Sequence, residues 1–207
     1  MCGFFGVINF KNPLSEDDNI DIQNGIKAIK YRGPDDQKIL GEKNFCFGFN
    51  RLSIIDLLAD NQPYYTKDKS VVMMCNGEIY NYRELKAELE KKGHVFKTNS
   101  DTEVLLKILN LYGENAVKYL DGMWAFAYYN KKKNSLILSR DLFGEKPLYY
   151  TNQNNNRDRV YSIELNSLRI DVWAMTGGGY TTREMFPIGL CEFVEIENFL
   201  SYIETLK

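Results

Sequence analysis

Apolar and polar positions alternate along much of the chain, and the alternation divides it into short strands with a few amphipathic helices between them. Residues 3–10, Gly-Phe-Phe-Gly-Val-Ile-Asn-Phe, read as a buried strand, with glycines where backbone or ligand approaches closely. Lys11 to Pro13 turn the chain. Ser15 caps a helix whose apolar side is Ile20, Ile22, Ile26 and Ile29, and Gly33-Pro34 stops it. The runs 44–49 and 51–55 are strand-like, and Asp60-Asn61-Gln62-Pro63 reads as a turn. Residues 70–75, Ser-Val-Val-Met-Met-Cys, form a compact buried strand that runs into Asn76-Gly77-Glu78-Ile79-Tyr80-Asn81. Asn-Gly is a turn signal. Leu85 and Leu89 lie four apart and Gly93 can end a helix, so the spacing predicts a strand-to-helix connection at 76–81.

Ser100-Asp101-Thr102-Glu103 matches a capping box, and Val104, Leu105, Ile108, Leu109 and Tyr112 supply the helix it opens. A short helical stretch follows at 114–120. Residues 123–129 and 135–140 are strands around a polar hairpin loop. Its Lys131-Lys132-Lys133 run is a solvated turn. A loop at 141–147 leads to a strand at 148–151, a polar turn at 152–159 and a strand at 160–163. Ile196, Phe199, Leu200, Ile203 and Leu206 make a helical stripe near the end. No segment repeats.

Composition narrows the function classes. The chain has 207 residues, 44% of them hydrophobic and 14% aromatic, enough for a proper core. A net charge of -2 offers no basic excess for nucleic acid. No apolar run approaches the roughly 18–20 residues of a membrane span, and the start lacks the basic and apolar regions of a signal peptide. Four cysteines without a Cys-x-x-Cys spacing, and a single histidine, argue against zinc. The expected compartment is the reducing cytoplasm, with Cys46 and Cys75 as small strand residues.

Met1-Cys2-Gly3 carries the candidate chemistry. Once Met1 is trimmed, Cys2 holds both a thiol and an α-amine, a nucleophile beside its own base. An α-amine of pKa roughly 7.7–8.0 and a thiol near 8.5 exchange a proton easily. Read alone, Cys2 is more simply a small residue that follows methionine. Arg51 is either a strand-edge cation in water or a planar fork that grips a carboxylate. Asp101 reads first as an acid favoured by the helix dipole. Arg32 and Asp35 can hold one another beside a pocket.

Eight segments taken together carry a family resemblance. They are Met1-Cys2-Gly3, Tyr31-Arg32-Gly33-Pro34-Asp35, Arg51-Leu52-Ser53-Ile54-Ile55-Asp56, Asn61-Gln62-Pro63, Asn76-Gly77-Glu78-Ile79-Tyr80-Asn81, Ser100-Asp101-Thr102-Glu103, Gly122 to Ala127, and Ser139-Arg140-Asp141 to Tyr149. In this order they resemble the glutaminase domain of class II glutamine amidotransferases, in the branch of glutamine-hydrolysing asparagine synthetases. Branches that make phosphoribosylamine or glucosamine phosphate carry a different segment where Arg51 to Ile54 stand. The resemblance implies an α+β fold, a four-layer αββα sandwich of N-terminal nucleophile hydrolase type.

It also implies a reaction, the hydrolysis of L-glutamine to glutamate and ammonia. The implied nucleophile is Cys2, with Asn76 and Gly77 as the donors that hold the oxyanion. The implied substrate-binding residues are Arg51, Ile54, Asn76, Gly77, Glu78 and Asp101, with Arg51 on the α-carboxylate and Glu78 and Asp101 on the α-ammonium. No metal or organic cofactor is implied for this step. ATP and Mg belong to a separate synthetase subunit, if there is one, and homo-oligomerisation stays open. The expected domains are 1–168 for the amidotransferase and 169–207 for a divergent extension without a complete synthetase domain. In that extension Met175 to Thr182 only faintly resembles a Ser-Gly-Gly-x-Asp-Ser phosphate loop. Other departures are Tyr31 where histidine is usual, Phe49-Asn50 for His-Arg, and Ile163-Glu164 for Ser-Glu. A non-catalytic relic that binds glutamine or a partner is the alternative.

Overall fold

In the computed structural model, strand alternation sorts the side chains into three separate cores. The structure describes residues 2–52, 62–153, 169–174 and 186–187. Their strands are β1 (Gly3–Asn9), β2 (Asp36–Glu42), β3 (Phe45–Arg51), β4 (Tyr64–Tyr65), β5 (Val71–Ile79), β6 (Gly122–Asn130), β7 (Ser135–Arg140), β8 (Leu148–Gln153), β9 (Arg169–Ala174) and β10 (Phe186–Pro187). The helices are α1 (Glu16–Ala28), α2 (Tyr82–Lys91) and α3 (Asp101–Tyr112). One sheet has the order β10-β8-β9-β1-β3-β2 and the other β4-β5-β6-β7. Neighbouring strands in both are antiparallel.

Phe4, Ile8, Phe45, Phe47 and Phe49 of the first sheet meet Val72, Met74, Ala125, Ala127, Tyr129 and Leu138 of the second. Their strand neighbours of opposite parity face outward, as the two-residue period requires. Val7 and Cys46 pack under Ile22, Ile26 and Ile29 of α1 and the turn after it. Val71, Met73, Cys75 and Phe126 pack under Leu85, Leu89, Val104, Leu105, Ile108 and Leu109 of α2 and α3. The layers are therefore helix, sheet, sheet, helices, the αββα sandwich. Each fully buried Phe or Ile contributes about 1.5–3 kcal/mol.

Several local expectations change. Ile20 is 47% exposed while Ile22 and Ile26 are fully buried, because two residues along a helix turn a side chain to the far side. β2 was not expected. It is an edge strand with mostly exposed residues, so its sequence lacks the apolar alternation of a half-buried strand. The Asn76-Gly77 pair is not a turn. β5 runs straight through it to Ile79, and Gly77 pairs with Trp124. Ser100 caps α3 by accepting the Thr102 N–H at 3.2 Å. Glu103 does not close a box with it, and instead takes the Lys97 and Thr98 N–H groups at 2.9 and 2.7 Å. The true capping box is at α1, between Ser15 and Asp18. β9, from the stretch expected to be an extension beyond 168, lies between β8 and β1. The strand expected at 160–163 and the helical stripe from Ile196 fall outside the described residues.

Candidate active site

Cys2 precedes β1 by one residue, on the parity of Phe4 and Ile8, and so turns toward the space between the sheets. Arg51 ends β3 on the parity of Phe47 and Phe49. Asn76 and Glu78 continue the parity of Val72 and Met74 along β5. These four, with Gly77 and Asp101, line one cavity of about 260 Å³. Ile54, the remaining expected substrate-binding residue, lies outside the described residues.

The Cys2 sulfur is half-buried. It accepts the Leu52 N–H at 3.3 Å, and its thiol reaches the Leu52 carbonyl at 3.5 Å. Behind it, the Arg32 Nε–H donates to the Cys2 carbonyl at 3.2 Å, and Arg32 is 6% exposed. Burial pushes the Cys2 thiol up. The Leu52 N–H and the charges of Arg51 and Arg32 pull it part of the way back. The arginine of the Arg-Gly-Pro loop thus sits under Cys2. Tyr31 beside it is 68% exposed. Asn50, in the place of an expected arginine, is fully buried on the other face of β3 and donates to the Ile26 carbonyl at 2.7 Å.

The second sheet supplies the opposite wall. Asn76 is 2% exposed, and among the described residues its Nδ2 has no hydrogen-bond partner. Leaving such a donor buried and unpaired costs about 1–3 kcal/mol, which a ligand oxygen would recover. At Gly77 a Cβ would overlap the Met123 carbonyl oxygen and press on the Trp124 Cα at 2.6 Å, so only glycine fits this close to β6. Asp101 starts α3 and is 7% exposed. Its Oδ2 accepts the Ile79 N–H at 2.9 Å and its Oδ1 the Thr102 N–H at 2.8 Å, which pins the helix start to the end of β5. Burial raises its carboxyl pKa. The two N–H groups oppose that shift, and the charge of Glu78 adds to it.

Leu52, Gln62 and Lys146 are among the lining residues that have no role in the sequence reading. Gln62 is 9% exposed and bonds twice to the backbone of Cys75, beside Asn76. Lys146 is 6% exposed. Its loop is held by the Asp141 carboxylate, which accepts the N–H groups of Phe143, Glu145 and Lys146 at 3.1, 2.9 and 2.9 Å. Both belong to quoted motifs, but nothing in either motif says which atoms they meet. Among the described residues no cluster of His, Cys, Asp or Glu could hold a metal ion, and no helix is long and apolar enough to cross a membrane.

The arrangement offers a thiol, a buried amide donor, two cations (Arg51 and Lys146) and two carboxylates around a small cavity, a set that suits an amide-bearing zwitterion. Comparisons with known proteins agree. A glutamine amidotransferase domain model matches residues 1–177. Asparagine synthetase [glutamine-hydrolyzing] 2 of Bacillus subtilis (strain 168) is 44% identical over 172 residues, covering 81% of this chain and 22% of that protein. Asparagine synthetase [glutamine-hydrolyzing] 1 of the same organism is 47% identical over 163 residues, covering 78% of this chain and 25% of that protein. The chain therefore spans about a quarter of the length of these relatives. Among solved structures, the glutamine phosphoribosylpyrophosphate amidotransferase of B. subtilis complexed with ADP and GMP superposes with a TM-score of 0.61. It is 18% identical and covers 82% of this chain and 41% of that one, a likeness of fold. The domain match over 1–177 and the level of identity are decisive: this chain belongs to the class II glutamine amidotransferase domain family and is homologous to the glutaminase part of asparagine synthetases.

Proposed function

We propose that this chain hydrolyses L-glutamine to L-glutamate and ammonia through a thioester at Cys2. The observation that supports this most directly is the unpartnered, buried Asn76 Nδ2 in the cavity that Cys2 lines. In the reacting form Met1 is gone and the Cys2 α-amine is the base. The amine takes the thiol proton as sulfur attacks the side-chain amide carbon of glutamine. The carbonyl electrons move onto oxygen, which Asn76 Nδ2 and the Gly77 N–H hold. Collapse of the intermediate breaks the C–N bond, and the amine returns its proton to the leaving ammonia. Water then attacks the thioester, glutamate departs, and the thiol is restored.

The resting thiol suits this scheme. With Met1 in place, burial disfavours a standing thiolate; once Met1 is gone, the α-amine of Cys2 is the group that takes the proton. Arg51 takes the α-carboxylate, and Glu78 and Asp101 take the α-ammonium. Ile54 is assigned to the substrate site by its place in the Arg51 motif alone. The hydrolysis as written uses no metal or organic cofactor. Ammonia then passes to an ATP-dependent, asparagine-synthetase-like acceptor, and ATP and Mg belong there.

The test is covalent labelling with a glutamine-shaped diazoketone, read by intact mass and peptide mapping beside an ammonia-release assay. The expected result is one adduct on Cys2 in protein that has lost Met1, with turnover blocked in proportion. Ammonia release from fully Met1-bearing protein, or an active protein that never labels at Cys2, overturns the scheme. Glutamine binding with neither turnover nor adduct would support the non-catalytic alternative.

A further inference from the structure

The edge of β5 that faces away from β6 is where the second sheet meets the cavity. β4 pairs with β5 only at Tyr64↔Met73 and Tyr65↔Val72. Continued by two residues, that register sets Gln62 opposite Cys75. There the backbone ladder is replaced by a side chain. The Gln62 Oε1 accepts the Cys75 N–H at 2.6 Å, and its Nε2 donates to the Cys75 carbonyl at 2.9 Å. In an antiparallel strand the backbone groups of successive residues point to opposite edges. Those of residues 75, 77 and 79 therefore share this edge. Gln62 satisfies Cys75, and Asp101 Oδ2 accepts from Ile79 at 2.9 Å. The Gly77 N–H lies between these two caps, and the Asn76 side chain with its unpartnered Nδ2 lies beside it.

We propose that Gln62 is a positioning residue, which holds the Cys75 backbone so that the Asn76 amide and the Gly77 N–H converge on the reacting oxygen. The site needs it because Cys75 is 5% exposed and Gln62 9%. Water has little access to take over the two bonds, and a segment with unpaired backbone groups shifts to pair them. A displacement of about 1 Å at such donors costs about 100-fold in rate. The proposal rests on the glutaminase reading above.

A double-mutant cycle with L-glutamine as substrate tests it, using Gln62→Met, Asn76→Ala and both together in the full chain. Gln62→Met keeps the side chain's length and removes both bonds. It is expected to lower kcat by about 10–100-fold with KM within about threefold. In the Asn76→Ala background the same change lowers kcat by no more than about threefold, since the main donor it positions is gone. Gln62→Glu, which keeps the acceptor and loses the donor, falls between wild type and Gln62→Met. If Gln62→Met loses its cooperative thermal transition, the cycle is run with Gln62→Glu. Equal losses in both backgrounds, or a rise in KM with kcat unchanged, overturn the positioning role. A wild-type chain, free of Met1, that releases no ammonia overturns the glutaminase reading beneath it, and this proposal falls with it.

Discussion

The first sheet offers its site residues from strand ends, Cys2 just before β1 and Arg51 at the close of β3, whereas the second offers Asn76 and Gly77 from inside β5. The difference follows the work each wall is assigned. A nucleophile that uses its own α-amine must stand at a chain start, where few ladder bonds hold it. Here the restraint comes from the Leu52 N–H and the Arg32 guanidinium. Oxyanion donors must not move as charge develops. β5 is held along β6 by backbone pairing from Val71 to Ile79 and on its other edge by Gln62 and Asp101. The supporting cores differ in the same sense. Among the described residues a single helix, α1, backs the first sheet, while α2 and α3 bury a larger apolar set against the second.

The comparison breaks most completely at Cys2. Cys2→Ala is expected to abolish ammonia release, with far-UV circular dichroism and thermal midpoint unchanged, because the other thiol that lines the cavity, Cys75, is 5% exposed, carries no α-amine of its own and is pushed by burial well above the usual thiol pKa. Asn76→Ala comes next. It should lower kcat by about 10²–10³ with KM little changed, since its amide acts on a charge that exists only in the transition state. Gly77→Ala tests rigidity rather than chemistry. Its Cβ has no room against Met123 and Trp124, so an overpacking cost of about 1–3 kcal/mol is expected. In a thermal melt that is a fall of about 2–4 °C per kcal/mol. An unshifted melting temperature would show that β6 yields there, and that the second wall is softer than its pairing implies.

The smallest effect sharpens the comparison through pH. Burial raises both the Cys2 and the Cys75 thiols, the second well above its usual value. A raised thiol pKa means less thiolate at any given pH. Alkylation of Cys2 in Met1-bearing protein should therefore rise with pH around a midpoint above that of a free cysteine. Cys75 should stay unmodified until the fold opens. A Cys2 midpoint below the free value would show that the Leu52 N–H and the nearby positive charges together outweigh burial. Equal rates at the two cysteines would show that the second wall opens as readily as the first.

Much of this was legible because some elements carry their own local signal. α3 announces itself through Ser100 and the stripe from Val104 to Leu109, and β1 through an apolar run with two glycines. Cys2, Asn76 and Asp101 stood out as candidates once the motifs stood in order, and the structure brings the three to one cavity. Other elements were hidden for physical reasons. β2 is an exposed edge strand, so no alternation marks it. Asn76-Gly77 has the local preference of a turn, and only pairing with Ala125 and Trp124 holds it extended. Glu103 matched a capping box by spacing, but the nearby Lys97 and Thr98 N–H groups took its carboxylate.

The sequence by itself determined which groups exist and which faces are apolar, and with that the strand parities that send Cys2, Arg51, Asn76 and Glu78 to one side. Those follow from a two-residue period that each strand carries alone. Only the tertiary structure decided that the four meet. Their strands lie in different sheets, and sheet packing, not local preference, sets what faces what. The structure also put Gln62 opposite Cys75, Arg32 behind Cys2 and β9 beside β1. These contacts join residues far apart in the chain, whose partners no local pattern encodes.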